Sequence, residues 1–180
     1  MKHLPNILSC FRICLVPVFV VVYFSFEDTK TYAVLIYFLA ALTDVFDGVI
    51  ARRCNLITNL GKLLDPLGDK LMTFAVLICI MIDSVIPLWS VLVFVIKEIL
   101  MGFGGLIIHK KAKLEIPPSN YMGKLSTVVF FVVCVVLMLF RIPQNIATIM
   151  ISVAIGFMLM ALGSYVITFS GAMRSATRRG

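Results

Sequence analysis

The sequence predicts an all-α integral membrane protein: six transmembrane helices, a short amphipathic segment ahead of the first, and both termini in the cytoplasm. Three observations predict it. Of the 180 residues, 61% are hydrophobic and only 14% are charged, against about a quarter charged in an ordinary soluble domain. Apolar runs recur along the whole chain, and about 20 helical residues cross a hydrocarbon core of roughly 30 Å. The basic residues collect at alternate connections between those runs, the pattern that marks a cytoplasmic face.

The first span is Ser9–Phe26. It lacks a small-residue cleavage site before Glu27, so it reads as a retained helix rather than a secretory leader. Pro17 is expected to kink it without ending it, because neighbouring helices can satisfy the freed carbonyl. Ahead of it, MKHLPNILSCFR mixes Leu4, Ile7, Leu8 and Phe11 with Lys2, His3 and Arg12. That mixture reads as a short helix lying flat at the membrane surface. The further spans are Thr31–Ala51, Leu63–Ile82, Ile86–Ile108, Met122–Phe140 and Ile146–Phe169. Their connections are too short for a separate soluble domain, and no repeat or low-complexity segment interrupts them. Residues 1–180 therefore read as a single membrane domain.

The net charge is +7, and its distribution argues against nucleic acid. Thirteen of the sixteen Lys and Arg residues fall at four places: Lys2 and Arg12; Arg52, Arg53, Lys62 and Lys70; Lys110, Lys111, Lys113 and Lys124; Arg174, Arg178 and Arg179. With six spans, all four places share one face, which would meet anionic lipid headgroups or an anionic substrate. The five cysteines, Cys10, Cys14, Cys54, Cys79 and Cys134, form no C-x-x-C pair and read as small apolar residues.

Against this background the segment ALTDVFDGVIARRCNLITNLGKLLDPLGDKL, residues 41–71, stands out. It sets Asp44 and Asp47 at i, i+3 near the end of the second span, and Asp65 and Asp69 at i, i+4 at the start of the third. Each pair shares one side of its helix. A short connection makes the two helices antiparallel neighbours, so the four carboxylates can converge roughly 6–10 Å inside the cytoplasmic end. Converging carboxylates at low dielectric must be protonated, paired with cations or bound to metal. A single Asp here would read as a cap or a partner for Arg52, Lys62 or Lys70. Four on two facing helices read as a functional site. Carboxylate oxygens suit hard cations such as Mg²⁺, with Mn²⁺ also possible, and four of them suit two ions about 4 Å apart, an arrangement used for displacement at phosphorus. Gly48, Ala51 and Gly61 leave room for a close helix contact or a flat ligand.

The pattern Asp44-x2-Asp47-Gly48-x2-Ala51-Arg52-x8-Gly61-x3-Asp65-x3-Asp69 resembles the signature of the CDP-alcohol phosphotransferase (phosphatidyltransferase) family of membrane enzymes. The resemblance implies transfer of a phosphatidyl group from CDP-diacylglycerol to an acceptor hydroxyl, with release of CMP. It implies that Asp44, Asp47, Asp65 and Asp69 hold two Mg²⁺ or Mn²⁺ ions and that Asp69 is also the general base. It places Gly48, Ala51, Arg52, Thr58 and Gly61 against the CDP donor. Asn6 and Ser9 of LPNILS join them, with helix capping after Pro5 as the other reading. A homodimer in a bacterial inner membrane, with the site on the cytoplasmic side, is also implied.

For the acceptor, HLPNILSCFRICLVPVF, NLGKLLDPLGDKLMTFAVLI and GKLSTVVF resemble bacterial phosphatidylglycerophosphate synthases, which use glycerol 3-phosphate. Lys97 and Lys124 are the expected acceptor-binding residues, and the cluster from His109 to Lys113 adds charge on the same face. Lys97-Glu98 stands where those synthases usually have Arg-Glu, and Lys lacks the bidentate fork of Arg. Adjacent helical residues point about 100° apart, so Lys97 and Glu98 are expected to pair poorly. The alternative acceptor is phosphatidylglycerol, which would make the chain a cardiolipin synthase, or that of another CDP-alcohol phosphotransferase. A cation transporter is a reading of another class, but transporter carboxylates sit near the midplane within repeats.

Overall fold

The computed structural model describes residues 4–26, 30–54, 61–112 and 121–177, and side chains for 9–26, 30–45, 67–102, 121–164 and 166. The described residues form six helices: α1 Leu4–Ser25, α2 Thr31–Cys54, α3 Gly61–Ile82, α4 Leu88–Ala112, α5 Tyr121–Leu139 and α6 Gln144–Thr177. The chain divides into two units, Met1–Asp83 with Leu137–Arg141, and Ser84–Val136 with Ile142–Gly180.

In the first unit α1 packs on α2 and on α3, and α2 packs on α3. Each helix presents one buried stripe: Ser9, Arg12, Leu15, Phe19 and Tyr23 on α1; Ala33, Tyr37 and Ala40 on α2; Met72, Val76, Cys79 and Ile80 on α3. The three-and-four spacing is that of one helix face. Asp44 continues the α2 stripe by one further turn, and Gly68 precedes Met72 on the α3 stripe. The sequence thus carries the candidate site as the end of the packing face. The ring of Phe19 lies 5.8 Å from that of Tyr23 and 6.4 Å from that of Tyr37, which ties α1 to α2. Asp83 N donates to the Cys79 carbonyl, and Ser84, in the left-handed region at φ 58°, stops α3.

In the second unit α4 packs on α6, and Phe94 stacks on Phe130 of α5 at 5.5 Å. Carbonyls of prolines start two of its helices. Pro87 accepts from the backbone and hydroxyl of Ser90, and Pro143 accepts from the backbone of Ile146 and Ala147.

The helices fall where expected, within a few residues, except at the two chain ends. The N-terminal segment is not a separate surface helix. α1 runs unbroken from Leu4 through Pro17 to Ser25, because Ser9 and Arg12 are buried by the protein itself. The helix starts ahead of Pro5, so Asn6 and Ser9 both lie within it; the side chain of Asn6 is outside the described residues. α6 extends to Thr177, past the expected Phe169. Val21, Leu35, Phe74, Leu92, Val128 and Ile149 put exposed apolar surface on all six helices, which suits lipid better than water. Among the described residues two helical stretches, Tyr121–Leu139 and Gln144–Ser164, are long and apolar enough to cross a bilayer; Ser9–Ser25 and Thr31–Val45 are shorter apolar stretches.

Candidate active site

The site builds up from α1. Arg12 follows Ser9 by three residues, so both point into the α1–α3 contact, and both are buried. α3 offers them Gly68. A β-carbon there would lie 3.5 Å from Arg12 Cδ and Ile13 Cγ1 and 3.7 Å from the Ser9 carbonyl oxygen. The arginine stem therefore lies against bare α3 backbone, directly beside Asp69. Its head reaches α2, where Nη1 donates to Asp44 Oδ1 at 2.7 Å. The short distance is that of a charge-assisted hydrogen bond. The Arg12 side chain is 1% exposed, and that of Asp44 is 47% exposed. One carboxylate thus bonds a buried cation on one side and stays open on the other. Asp69 is exposed, and its carbonyl accepts from the Thr73 hydroxyl at 3.0 Å.

Asp47, Gly48, Ala51 and Arg52 lie on α2, Gly61 and Asp65 on α3, and Asn6 on α1, with side chains outside the described residues. Thr58 lies outside them altogether. Among the described residues no group of three or more His, Cys, Asp or Glu forms a metal cluster; two of the four signature carboxylates are not among them. The observed parts fit a hard divalent ion. Asp44 is held yet half open, Asp69 is exposed, and both offer oxygen alone.

In the second unit Lys97 is 8% exposed and forms an ion pair with Glu98. This corrects the expectation that adjacent positions pair poorly. Two flexible side chains bridge the angle between them when burial denies either one water. The Lys97 ammonium also lies 5.5 Å from the centre of the Phe94 ring. Lys124 is exposed on α5. His109, Lys110 and Lys111 lie on α4 with undescribed side chains, and Lys113 is outside the described residues.

Two groups are not evident from local sequence pattern. The mixed segment that ends in Arg12 reads as a surface helix, although the spacing of Arg12, Leu15, Phe19 and Tyr23 marks an inward face. The other group is at the opposite end of the first unit. There the Tyr23 hydroxyl donates to Asp83 Oδ2 at 2.7 Å. Lys30 Nζ sits 3.4 Å from the same oxygen, donates to the Tyr23 carbonyl at 2.9 Å and lies 4.1 Å from the centre of its ring.

Comparison with known proteins bears directly on this arrangement. The profile of the CDP-alcohol phosphatidyltransferase family matches residues 2–170. The chain belongs to this family. As a CDP-alcohol phosphatidyltransferase it is an enzyme of phospholipid synthesis. It is 30% identical over 161 residues, 82% of each chain, to a CDP-diacylglycerol–glycerol-3-phosphate 3-phosphatidyltransferase of Bacillus subtilis strain 168. It is 34% identical over 128 residues, 71% of each chain, to the protein of the same name from Rickettsia typhi. A cardiolipin synthase (CMP-forming) of Streptomyces coelicolor is 33% identical over 129 residues, 69% of this chain and 59% of that one.

Proposed function

We propose that this CDP-alcohol phosphatidyltransferase moves a phosphatidyl group from CDP-diacylglycerol to glycerol 3-phosphate, forming phosphatidylglycerophosphate and releasing CMP. The observation that carries the acceptor is the likeness to the Bacillus subtilis glycerol-3-phosphate enzyme over 82% of both chains. Phosphatidylglycerol, giving cardiolipin, is the second reading, and the Streptomyces coelicolor relative favours it.

In this proposal residues 1–180 form one domain of six membrane-crossing helices. Both termini and the site face the cytoplasm of a bacterial inner membrane, and the working unit is a homodimer. Asp44, Asp47, Asp65 and Asp69 hold two Mg²⁺ or Mn²⁺ ions, which when bound would polarise the attacked phosphorus and the departing CMP oxygens. Asn6, Ser9, Gly48, Ala51, Arg52, Thr58 and Gly61 hold the donor, with the Arg52 guanidinium supplying paired donors to phosphate oxygens. Asp69 takes the proton of the acceptor hydroxyl as its oxygen bonds to phosphorus and the bond to CMP breaks. Its observed exposure suits an acceptor arriving from water. Lys97 and Lys124 supply positive charge for the acceptor phosphate.

The deciding experiment supplies labelled CDP-diacylglycerol and Mg²⁺ to the purified protein with glycerol 3-phosphate, phosphatidylglycerol, inositol or serine separately. Labelled phosphatidylglycerophosphate is expected with the first alone. Labelled cardiolipin with the second would install the alternative, and absence of CMP release with every acceptor would sink the proposal. Asp44→Asn and Asp65→Asn should each abolish turnover in folded protein, and chelation should do the same to the wild type.

A further inference from the structure

We infer that Arg12 is a positioning residue for the metal-binding carboxylates: its buried guanidinium grips Asp44 by Oδ1 from the α1 side and fixes the open side of that carboxylate toward the ion. The inference rests on the metal reading of Asp44 proposed above. Three observations carry it. Arg12 has almost no exposed surface, so it is not a surface charge reaching for headgroups. Its stem is fixed by the α1 stripe and by the bare backbone of Gly68, one residue before Asp69. Its partner is lopsided, with Oδ1 bonded at 2.7 Å while the Asp44 side chain keeps 47% of its surface exposed. A purely structural ion pair gains nothing from leaving one partner half open. A carboxylate shared between a buried donor and a metal needs that asymmetry. Such outer partners orient the ligand, and their loss typically weakens metal binding or activity by about 10- to 100-fold. Arg12 also joins the three helices of the site, since it stands on α1, touches α3 beside one ligand and bonds the ligand on α2.

The test measures Mn²⁺ binding to the full-length protein in lipid nanodiscs, without substrates, by electron paramagnetic resonance. The wild type should bind, Asp44→Asn should bind far less, and Arg12→Gln should bind about tenfold or more weakly than wild type. Arg12→Lys, which restores the charge without the planar fork, should fall between wild type and Arg12→Gln. At saturating Mn²⁺ the KM for CDP-diacylglycerol in Arg12→Gln should stay within about twofold of wild type, because the donor contacts are untouched. If Arg12→Gln does not fold, Arg12→Lys decides by the same measurement. A folded Arg12 variant that binds Mn²⁺ as tightly as wild type would overturn the inference while leaving the metal site intact. Failure of both variants to fold, even with Mn²⁺ present, would make Arg12 a structural residue and also overturn it. Absence of Mn²⁺ binding in the wild type would instead defeat the metal reading on which the inference stands.

Discussion

Lys97 shows what burial does to a single charge. It is paired with Glu98 and lies over Phe94, so truncating it removes a cation from a carboxylate whose side chain is only 13% exposed. Breaking a buried pair in this way costs about 3–5 kcal/mol. On the acceptor proposal Lys97→Met should raise the KM for glycerol 3-phosphate about tenfold, equivalent to roughly 1.4 kcal/mol of binding, with the KM for the CDP donor nearly unchanged. Lys97→Arg should retain most acceptor use. Acceptor and donor titrations on folded variants check this; equal losses toward both substrates would assign Lys97 to structure alone. The four signature Asp residues stand out in the sequence because their pattern is one of local spacing. Arg12 was not, since its meaning lies in a partner 32 positions away, at Asp44, and only the packing of α1 on α2 reveals it.

At the scale of elements, the approach of α1 to α3 turns on Gly68. The contacts that a β-carbon would meet there, at 3.5–3.7 Å, are ordinary van der Waals distances. Gly68→Ala should therefore fold and work, and the better helix propensity of Ala gains about 0.5–1 kcal/mol. Gly68→Leu would place a branched side chain where the Arg12 stem and Ile13 lie. Overpacking of this kind costs typically about 1–3 kcal/mol, and it should displace Arg12 from Asp44. The thermal midpoint should rise in Gly68→Ala with turnover kept, and both should fall in Gly68→Leu. Loss of activity in Gly68→Ala would show that the site needs more room than the contacts indicate. Helix positions were legible because apolar runs and short polar connections define them. The start of α1 was not, because a segment that mixes Lys2, His3 and Arg12 with apolar residues reads the same whether it lies on a membrane or packs on a partner helix.

At the scale of the whole molecule, the all-helical, apolar class followed from composition and periodicity, and the reaction from the signature. How α1, α2 and α3 close on one another depends on long-range contacts that no local pattern encodes. One of those contacts reaches past catalysis. α1 and α3 run parallel and are pinned twice, at Arg12 and Gly68 near one end and at Tyr23 and Asp83 near the other. From Ser9, whose carbonyl also faces Gly68, to Tyr23, and likewise from Gly68 to Asp83 just past the end of α3, is about 21–23 Å along the axis. Two rods fastened at both ends cannot slide past each other, so in the six-span arrangement proposed above the first unit would meet a bilayer as a strut of fixed length. A membrane of another thickness must tilt the strut whole or deform itself, at a fraction of a kcal/mol per Å of mismatch. Turnover should then peak sharply when the enzyme is reconstituted in a series of phosphatidylcholines of increasing acyl length. Tyr23→Phe, which unfastens one pin, should broaden that peak; an unchanged profile would mean that the two helices already slip.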